Sequence, residues 1–382
     1  MSRCPIGSYP QPSTPADQTT RPTQIHPSAR RGRITTEVSP ADRRFKCRQI
    51  SDVVIGRSAA TLSADQRRTC RQISERALPF LLGLSSLPDA LPGRSETIEL
   101  FLLSQGEITG TPDGFVDAAF EPNHRFRTEP TELRRRDYLT LASIGGYPEA
   151  VRRTTPRRRA QFFKSYLDDI MSRDVHQVAD IQRSSDMRRL IAALAAQSGG
   201  LLNYSRLSSD LGIPASTVRD YIGLLEVVYL IRLIPAWSAN ATARAIATPK
   251  VVFTDAGLAA HLLTGISNDA TIGGIVETFV LGELTRQLTW SRTMAQLHHY
   301  RDRDGYEVDA VLEDNSGRII GIEVKAAETV RTDDFRTLRI LQKRLGDRFH
   351  GGYVLYCGDQ YLPFGDRLWC LPISALWTTP PA

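Results

Sequence analysis

Four residues in this chain have types and spacing that suit phosphoryl chemistry: Glu277, Asp309, Glu323 and Lys325. Three of them fall in or beside one stretch, Asp302 to Ala326, which reads DRDGYEVDAVLEDNSGRIIGIEVKA. A hard divalent cation such as Mg2+ keeps several waters and binds through one or two carboxylates plus phosphate oxygens. Asp309 and Glu323 suit that metal-binding role, and the carbonyl of Val324 can add a ligand. Lys325 can orient a water and stabilise charge on phosphoryl oxygens during phosphodiester cleavage. Glu277 can complete the acidic cluster from a preceding helix. The same residues equally suit a solvated strand face on which Lys325 neutralises two acids.

These side chains need a hairpin to position them. Glu313 to Gly317 (EDNSG) is a turn sequence between two apolar runs. Pairing Leu312 with Arg318 puts Asp309 opposite Gly321 and Glu307 opposite Glu323. Side chains alternate along a strand, so Glu307, Asp309, Glu323 and Lys325 share one face. Val308, Ala310, Ile322 and Val324 take the other, core-facing side. Asp309 and Glu323 are then diagonal neighbours. A one-residue slip would separate them. Gly321 leaves room for a close approach.

The chain has 382 residues, 41% hydrophobic and 24% charged, the composition of a globular protein with two or three domains. No apolar run is long enough for a transmembrane helix, and the N-terminus has no apolar signal region. Five scattered cysteines make neither a disulfide framework nor a metal set, and a cytoplasmic location fits. The net charge of +6 is unevenly placed. Residues 1–94 carry fifteen Lys/Arg against seven Asp/Glu, and residues 95–382 carry thirty-three against thirty-five. The basic excess therefore lies in the N-terminal quarter, where it can add nonspecific attraction to nucleic acid, and it says nothing about a basic groove in the folded body. Only five basic residues are lysines: Lys46, Lys164, Lys250, Lys325 and Lys343.

The pattern predicts an α/β multidomain chain. Residues 1–87 form a low-complexity basic leader without a stable fold. A strand over Glu96–Leu103 and helices over Pro130–Glu149 and from Pro156 to Val175 follow. Residues 181–265 read as a winged helix-turn-helix: helices Met187–Gln197, Ser205–Leu211 and Thr217–Leu230, the last capped by Ser216, then strands Ile231–Pro235 and Lys250–Phe253. A short helix, Asp255–Leu263, and a linker, Asn268–Gly274, lead into residues 268–382. That last segment is a small α/β unit with a mixed sheet, opened by an amphipathic helix Ile275–Leu288. Ser216, Thr217 and Arg219 are the residues that the third winged-helix helix would offer to a major groove. Arg206, Arg219, Arg232 and Arg244 are largely offset there by Asp210, Asp220 and Glu226. Intramolecular or protein contacts suit that module as well as DNA does.

Several ordered motifs carry a family resemblance. They are Leu103-Ser-Gln-Gly-Glu107, Gly145-Gly-Tyr-Pro-Glu149, Arg173-Asp-Val175, Pro249-Lys250, Asp255-Ala-Gly-Leu258, Glu277-Thr-Phe-Val280, Tyr300-Arg-Asp302, Glu307-Val-Asp309 and Glu323-Val-Lys325. From about residue 88 onward the chain resembles prokaryotic AAA-type ATPases that end in a domain of unknown function 4143. That resemblance implies a P-loop ATPase domain, a winged helix and a C-terminal domain similar to PD-(D/E)xK, or restriction-endonuclease-like, nucleases. It places Glu277, Asp309, Glu323 and Lys325 at the nuclease positions. A P-loop needs G-x-x-x-x-G-K-[ST], and Gly-Lys occurs nowhere in this sequence. ATP is therefore not an expected cofactor, and residues 88–180 read as a remnant of an ATPase core and helical lid after truncation. The resulting expectation is nucleic-acid binding with Mg2+-dependent cleavage, or a non-catalytic module that binds protein or DNA, or, third, an ATP-binding protein that uses a site other than a P-loop.

Overall fold

A computed structural model of the chain describes residues 99–174 and 184–381, apart from 112, 123, 125, 127–128, 241, 243, 245–246 and 266–267. The basic leader lies outside the described residues, as do Val175 and the first part of the expected strand at Glu96. All the described residues belong to one compact unit. The architecture is mixed α/β, with a helical half followed by a six-stranded mixed sheet.

The helical half contains α1 (Gln105–Thr109), α2 (Phe115–Phe120), α3 (Arg135–Ile144), α4 (Pro148–Arg152) and α5 (Pro156–Asp169), which continues as a π turn, Ile170–Asp174. Residues 99–104 are not a strand. The backbone of Leu103 instead donates to the Gly146 carbonyl at 3.0 Å. The helix expected over Pro130–Glu149 is shorter and divided. Gly145 takes a left-handed φ of 74°, and Pro148 starts α4.

Then come α6 (Ser184–Ala196), α7 (Tyr204–Leu211) and α8 (Ala215–Val227). Asn203 caps α7 by accepting from the Arg206 N–H, and Gly212 ends it in the left-handed region. Pro214, not Ser216, is the N-cap of α8, and no side chain caps it. That helix stops before Leu230 because Tyr229 adopts a φ of 55°. β1 (Ile231–Ile234) and β2 (Lys250–Phe253) pair antiparallel. Beyond β1 the chain is stitched to the large sheet: His299 donates to the Pro235 carbonyl, and Trp237 donates to that of His299.

α9 (Ala256–Leu262) leads to α10 (Asp269–Gln287). The expected linker at Asn268–Gly274 is the first turn of α10, with Asn268 accepting from the Thr271 N–H at 2.8 Å. Nor is α10 amphipathic. Val276, Thr278 to Leu281, Glu283, Leu284, Arg286 and Gln287 are all buried, so the helix is enclosed on every side. One hydrophobic cluster consequently joins Tyr138 and Phe163, Leu190 and Leu225, Val276 and Val280, and Ala310 and Ile322. The three segments read from sequence share a core.

The sheet has the order β3-β4-β5-β6-β8-β7. Its strands are β3 (Ala295–Arg301), β4 (Glu307–Asp314), β5 (Ile319–Lys325), β6 (Phe349–Tyr356), β7 (Leu362–Gly365) and β8 (Leu368–Pro372). The β5–β6 and β6–β8 pairs are parallel and the others antiparallel. A parallel neighbour requires a crossover. A 3-10 turn (Thr332–Phe335) and α11 (Arg336–Leu345) supply it, burying Phe335, Leu338 and Leu341 against Val308, Val311 and Val354. α12 (Ala375–Thr378) closes the described chain.

Several of the ordered motifs act as joints around α10. Glu283 is fully buried, accepts from the Gln105 N–H at 3.0 Å and pairs with Arg286 at 2.6 Å. Asp255, also fully buried, accepts from Gly146 N–H and Leu258 N–H, both at 2.7 Å. A Cβ on Gly145 would lie 2.3 Å from the Asp255 carboxylate, which explains a glycine there.

Candidate functional site

The hairpin register differs from the expected one by two residues. Ala310 pairs with Ile322, Val311 with Gly321 and Leu312 with Ile320. Asp314 lengthens β4 by taking over the turn: its carboxylate accepts from the N–H groups of Ser316 and Arg318. A two-residue shift by itself preserves side-chain parity, but the expected common face of Glu307, Asp309, Glu323 and Lys325 is not kept: Ile320 and Ile322 pack in the cluster that contains α10, so Glu323 and Lys325 take the other face of β5. The shift moves Asp309 level with Glu323 instead of diagonal to it.

A bulge then re-aims Asp309. The β3–β4 ladder steps from His298–Val311 to Tyr300–Val308, so Asp309 and Ala310 together oppose His299. The expectation that Val308 and Ala310 share one face is corrected by this extra residue. Val308 packs in the cluster beneath α11, whereas Ala310 packs in the cluster that contains α10. Both faces of the sheet are therefore core.

The acids meet around a residue that the sequence reading left without a role. The Lys250 ammonium lies 2.6 Å from Glu277 Oε1, 3.0 Å from Asp309 Oδ1 and 3.3 Å from Glu307 Oε1. Its side chain is 1% exposed. The other Asp309 oxygen accepts from the Val324 N–H at 2.9 Å. Glu323 is buried and hydrogen-bonded to Asp309 through its side chain. Gly199, at a φ of +86°, backs Glu277 so closely that a Cβ would sit 3.0 Å from its Oε2. Lys325 makes its ion pair with Asp334 at 3.9 Å, and its charge also acts on Glu323 two residues before it. The signal for Lys250 was present in the sequence, as one of five lysines in an arginine-rich chain, within the Pro249-Lys250 motif.

The electrostatics follow from burial and proximity. Burial raises the Glu277 carboxyl, and the Asp309 charge raises it further; against the pull of Lys250 it settles at about 8. Burial and then the Asp309 charge push Glu323 well above the carboxylate range. Burial would raise Asp309 too, but the Lys250 charge and bonds from Glu323 and the Val324 N–H hold it below its usual value. The arrangement is a charged Asp309 that accepts a proton-bearing Glu323 on one side and an ammonium on the other. For Lys250 itself, burial opposes the charge, yet Asp309 and Glu277 raise its pKa above that of a free lysine.

Glu277 predicts a pH dependence of stability. It ionises near 4.5 when solvated and near 8 in the fold, so the folded state holds the extra proton between those values. Stability should fall as pH rises through that window, by at most about 1.4 kcal/mol per pH unit from this group. Urea midpoints from pH 5 to pH 8 should decline less steeply in Glu277→Gln. Equal slopes in the two proteins would refute this assignment.

The residues do not fit a magnesium ion as they stand. Among the described residues, no group of three or more His, Cys, Asp or Glu side chains is arranged to hold a metal. The carboxylates close on the ammonium instead. The other candidate set lies elsewhere: Ser216 and Arg219 are exposed and Thr217 half-buried in the first turns of α8, with the Arg219 guanidinium 5.2 Å from the Tyr204 ring centre. Among the described residues, no helix is long and apolar enough to cross a membrane.

Fold and site thus define a mixed α/β protein with a lysine-centred carboxylate cluster at one end of a six-stranded sheet. Residues 135–270 match the family described as Domain of unknown function (DUF8612), and residues 272–376 match Domain of unknown function (DUF4143). The second is the domain that the sequence motifs resemble. The chain is also similar to the uncharacterized protein Mb2031c of Mycobacterium bovis (strain ATCC BAA-935 / AF2122/97) and the uncharacterized protein Rv2008c of Mycobacterium tuberculosis (strain ATCC 25618 / H37Rv). Each is 26% identical over 309 residues, which is 79% of this chain and 62% of the relative. The chain therefore spans less than two thirds of the length of these curated relatives. No solved structure matches it.

Proposed function

We propose that this protein is a non-catalytic nucleic-acid-binding module. In this reading residues 184–265 act as a winged helix that offers Ser216, Thr217 and Arg219 to DNA. Residues 269–376 form a PD-(D/E)xK nuclease-like unit whose carboxylates are neutralised by a lysine. One observation carries the non-catalytic part: the Lys250 ammonium sits among Glu277, Glu307 and Asp309 and is shut off from solvent. The order of three helices followed by an antiparallel strand pair supports the binding part.

A second reading, Mg2+-dependent phosphodiester cleavage, draws on the convergence of Glu277, Asp309 and Glu323 from three separate elements. Plasmid nicking in Mg2+ separates the two readings. The expected result is no nicking above background. Magnesium-dependent nicking that disappears in Asp309→Ala would replace the first reading with the second. DNA binding is checked by fluorescence anisotropy on a duplex at low and moderate salt. Weak, salt-sensitive binding that drops several-fold in Arg219→Ala is expected. No binding to the duplex at low salt would overturn the nucleic-acid reading.

A further inference from the structure

The outer face of α11 carries charge that the fold does not neutralise. Its sequence, RTLRILQKRL, holds four cations and no acid. Leu338 and Leu341 are buried against the sheet. Arg336, Arg339 and Lys343, at i, i+3 and i+7, form one stripe on the opposite side, three positive centres over about 10 Å of helix axis. The fourth cation, Arg344, pairs with Asp302 at 2.9 Å. Among the described residues none of the other three has an ion-pair partner. Two of them are nonetheless held in place. The Arg336 guanidinium donates to the Tyr306 hydroxyl at 2.9 Å and lies 5.2 Å from the centre of that ring. Arg339 donates to the Thr332 carbonyl at 2.9 Å and lies 5.7 Å from the centre of the Phe335 ring. Neutral groups thus fix both arginines and leave their charge over. Side chains already anchored lose less freedom when they meet an anion.

We infer that this stripe of α11 is a contact surface for the phosphate backbone of a nucleic acid. Two features select that partner. A guanidinium presents its donors as a planar fork that matches phosphate oxygens, and a row of cations suits a row of repeating anions. A protein partner would call for apolar or aromatic anchors at the centre of the contact, and none of the exposed large hydrophobic residues belongs to α11. The surface is separate from that of α8. Val218 and Ile222 of α8 pack in the cluster that contains α10, whereas Leu338 and Leu341 pack in the cluster on the other face of the sheet. The inference rests on the nucleic-acid reading, and it adds phosphate contacts that α8, whose one cation is Arg219, is short of.

Fluorescence anisotropy of a labelled duplex over a series of NaCl concentrations, with the full chain, tests it. Arg336→Gln/Arg339→Gln/Lys343→Gln is expected to bind about tenfold more weakly at low salt. Its slope of log affinity against log salt should be shallower by roughly 2 to 3, since each lost phosphate contact removes about 0.9. If the triple variant does not fold, Arg336→Gln/Lys343→Gln keeps the Arg339 bonds and takes its place, with a slope shallower by about 2. Wild-type affinity and slope in a folded variant overturn the inference; loss of binding in Arg219→Ala then keeps the α8 reading. The reverse pattern, loss in the stripe variant and none in Arg219→Ala, supports the stripe and removes α8. The same variants are titrated with polyglutamate and with phosphatidylserine vesicles. Loss of binding to either of these with duplex binding unchanged gives the stripe to another partner and overturns the inference. A wild type that binds no duplex overturns both readings.

Discussion

Lys250→Met is expected to lower folding stability by about 3–5 kcal/mol near pH 8, and by less at pH 5. Methionine preserves the volume of the stem, so the loss is electrostatic. Removing one partner of a buried ion pair strands the others, and here three carboxylates lose the same cation. The sign of the pH effect follows from what the stranded acids do. They take up protons more readily than in the unfolded chain, so acidification relieves the variant and narrows its deficit. Urea denaturation of both proteins at pH 5 and pH 8 measures it. A deficit under about 1 kcal/mol at pH 8 would mean that Lys250 is a surface-like pair of little weight.

Asp255→Ala is expected to cost roughly 3 kcal/mol, with a smaller loss for Asp255→Asn. The carboxylate is fully buried and accepts from two backbone N–H groups of different segments, Gly146 and Leu258. Losing it leaves both donors unsatisfied, each at about 1–3 kcal/mol, and removes the N-cap of α9. Asparagine retains one acceptor oxygen and so recovers part of the loss. Burial raises the Asp255 carboxyl in spite of these bonds. Its charge is therefore worth less than its geometry. Chemical denaturation of the two variants decides this, and equal destabilisation would show that the charge, not the acceptor, is what matters.

Legibility in the sequence varied with the range of the interaction. Helices α6 and α7 and strands β1 and β2 were readable within a few residues, because periodicity and caps such as Gly212 are local. The start of α8 was misplaced because Ser216 looks like a cap while Pro214 holds the position. β7 and β8 were not read at all. Leu362–Gly365 is a short, exposed edge, and only its pairing with β8 makes it a strand. α10 looked amphipathic because Glu277, Glu283 and Arg286 are charged, but each finds a buried partner.

The sequence by itself determined that Glu307, Asp309 and Glu323 lie at one end of a hairpin, because β4 and β5 run antiparallel. It did not determine that they share a face, because the bulge at Asp309 and Ala310 breaks the alternation. It also determined that no P-loop is present. Only the tertiary structure decided what the acids hold. Lys250 is 59 residues before Asp309 and 27 before Glu277, on a strand of a different sheet. A buried charge is neutralised by whichever opposite charge the packing delivers, and packing across that distance leaves no periodicity to read.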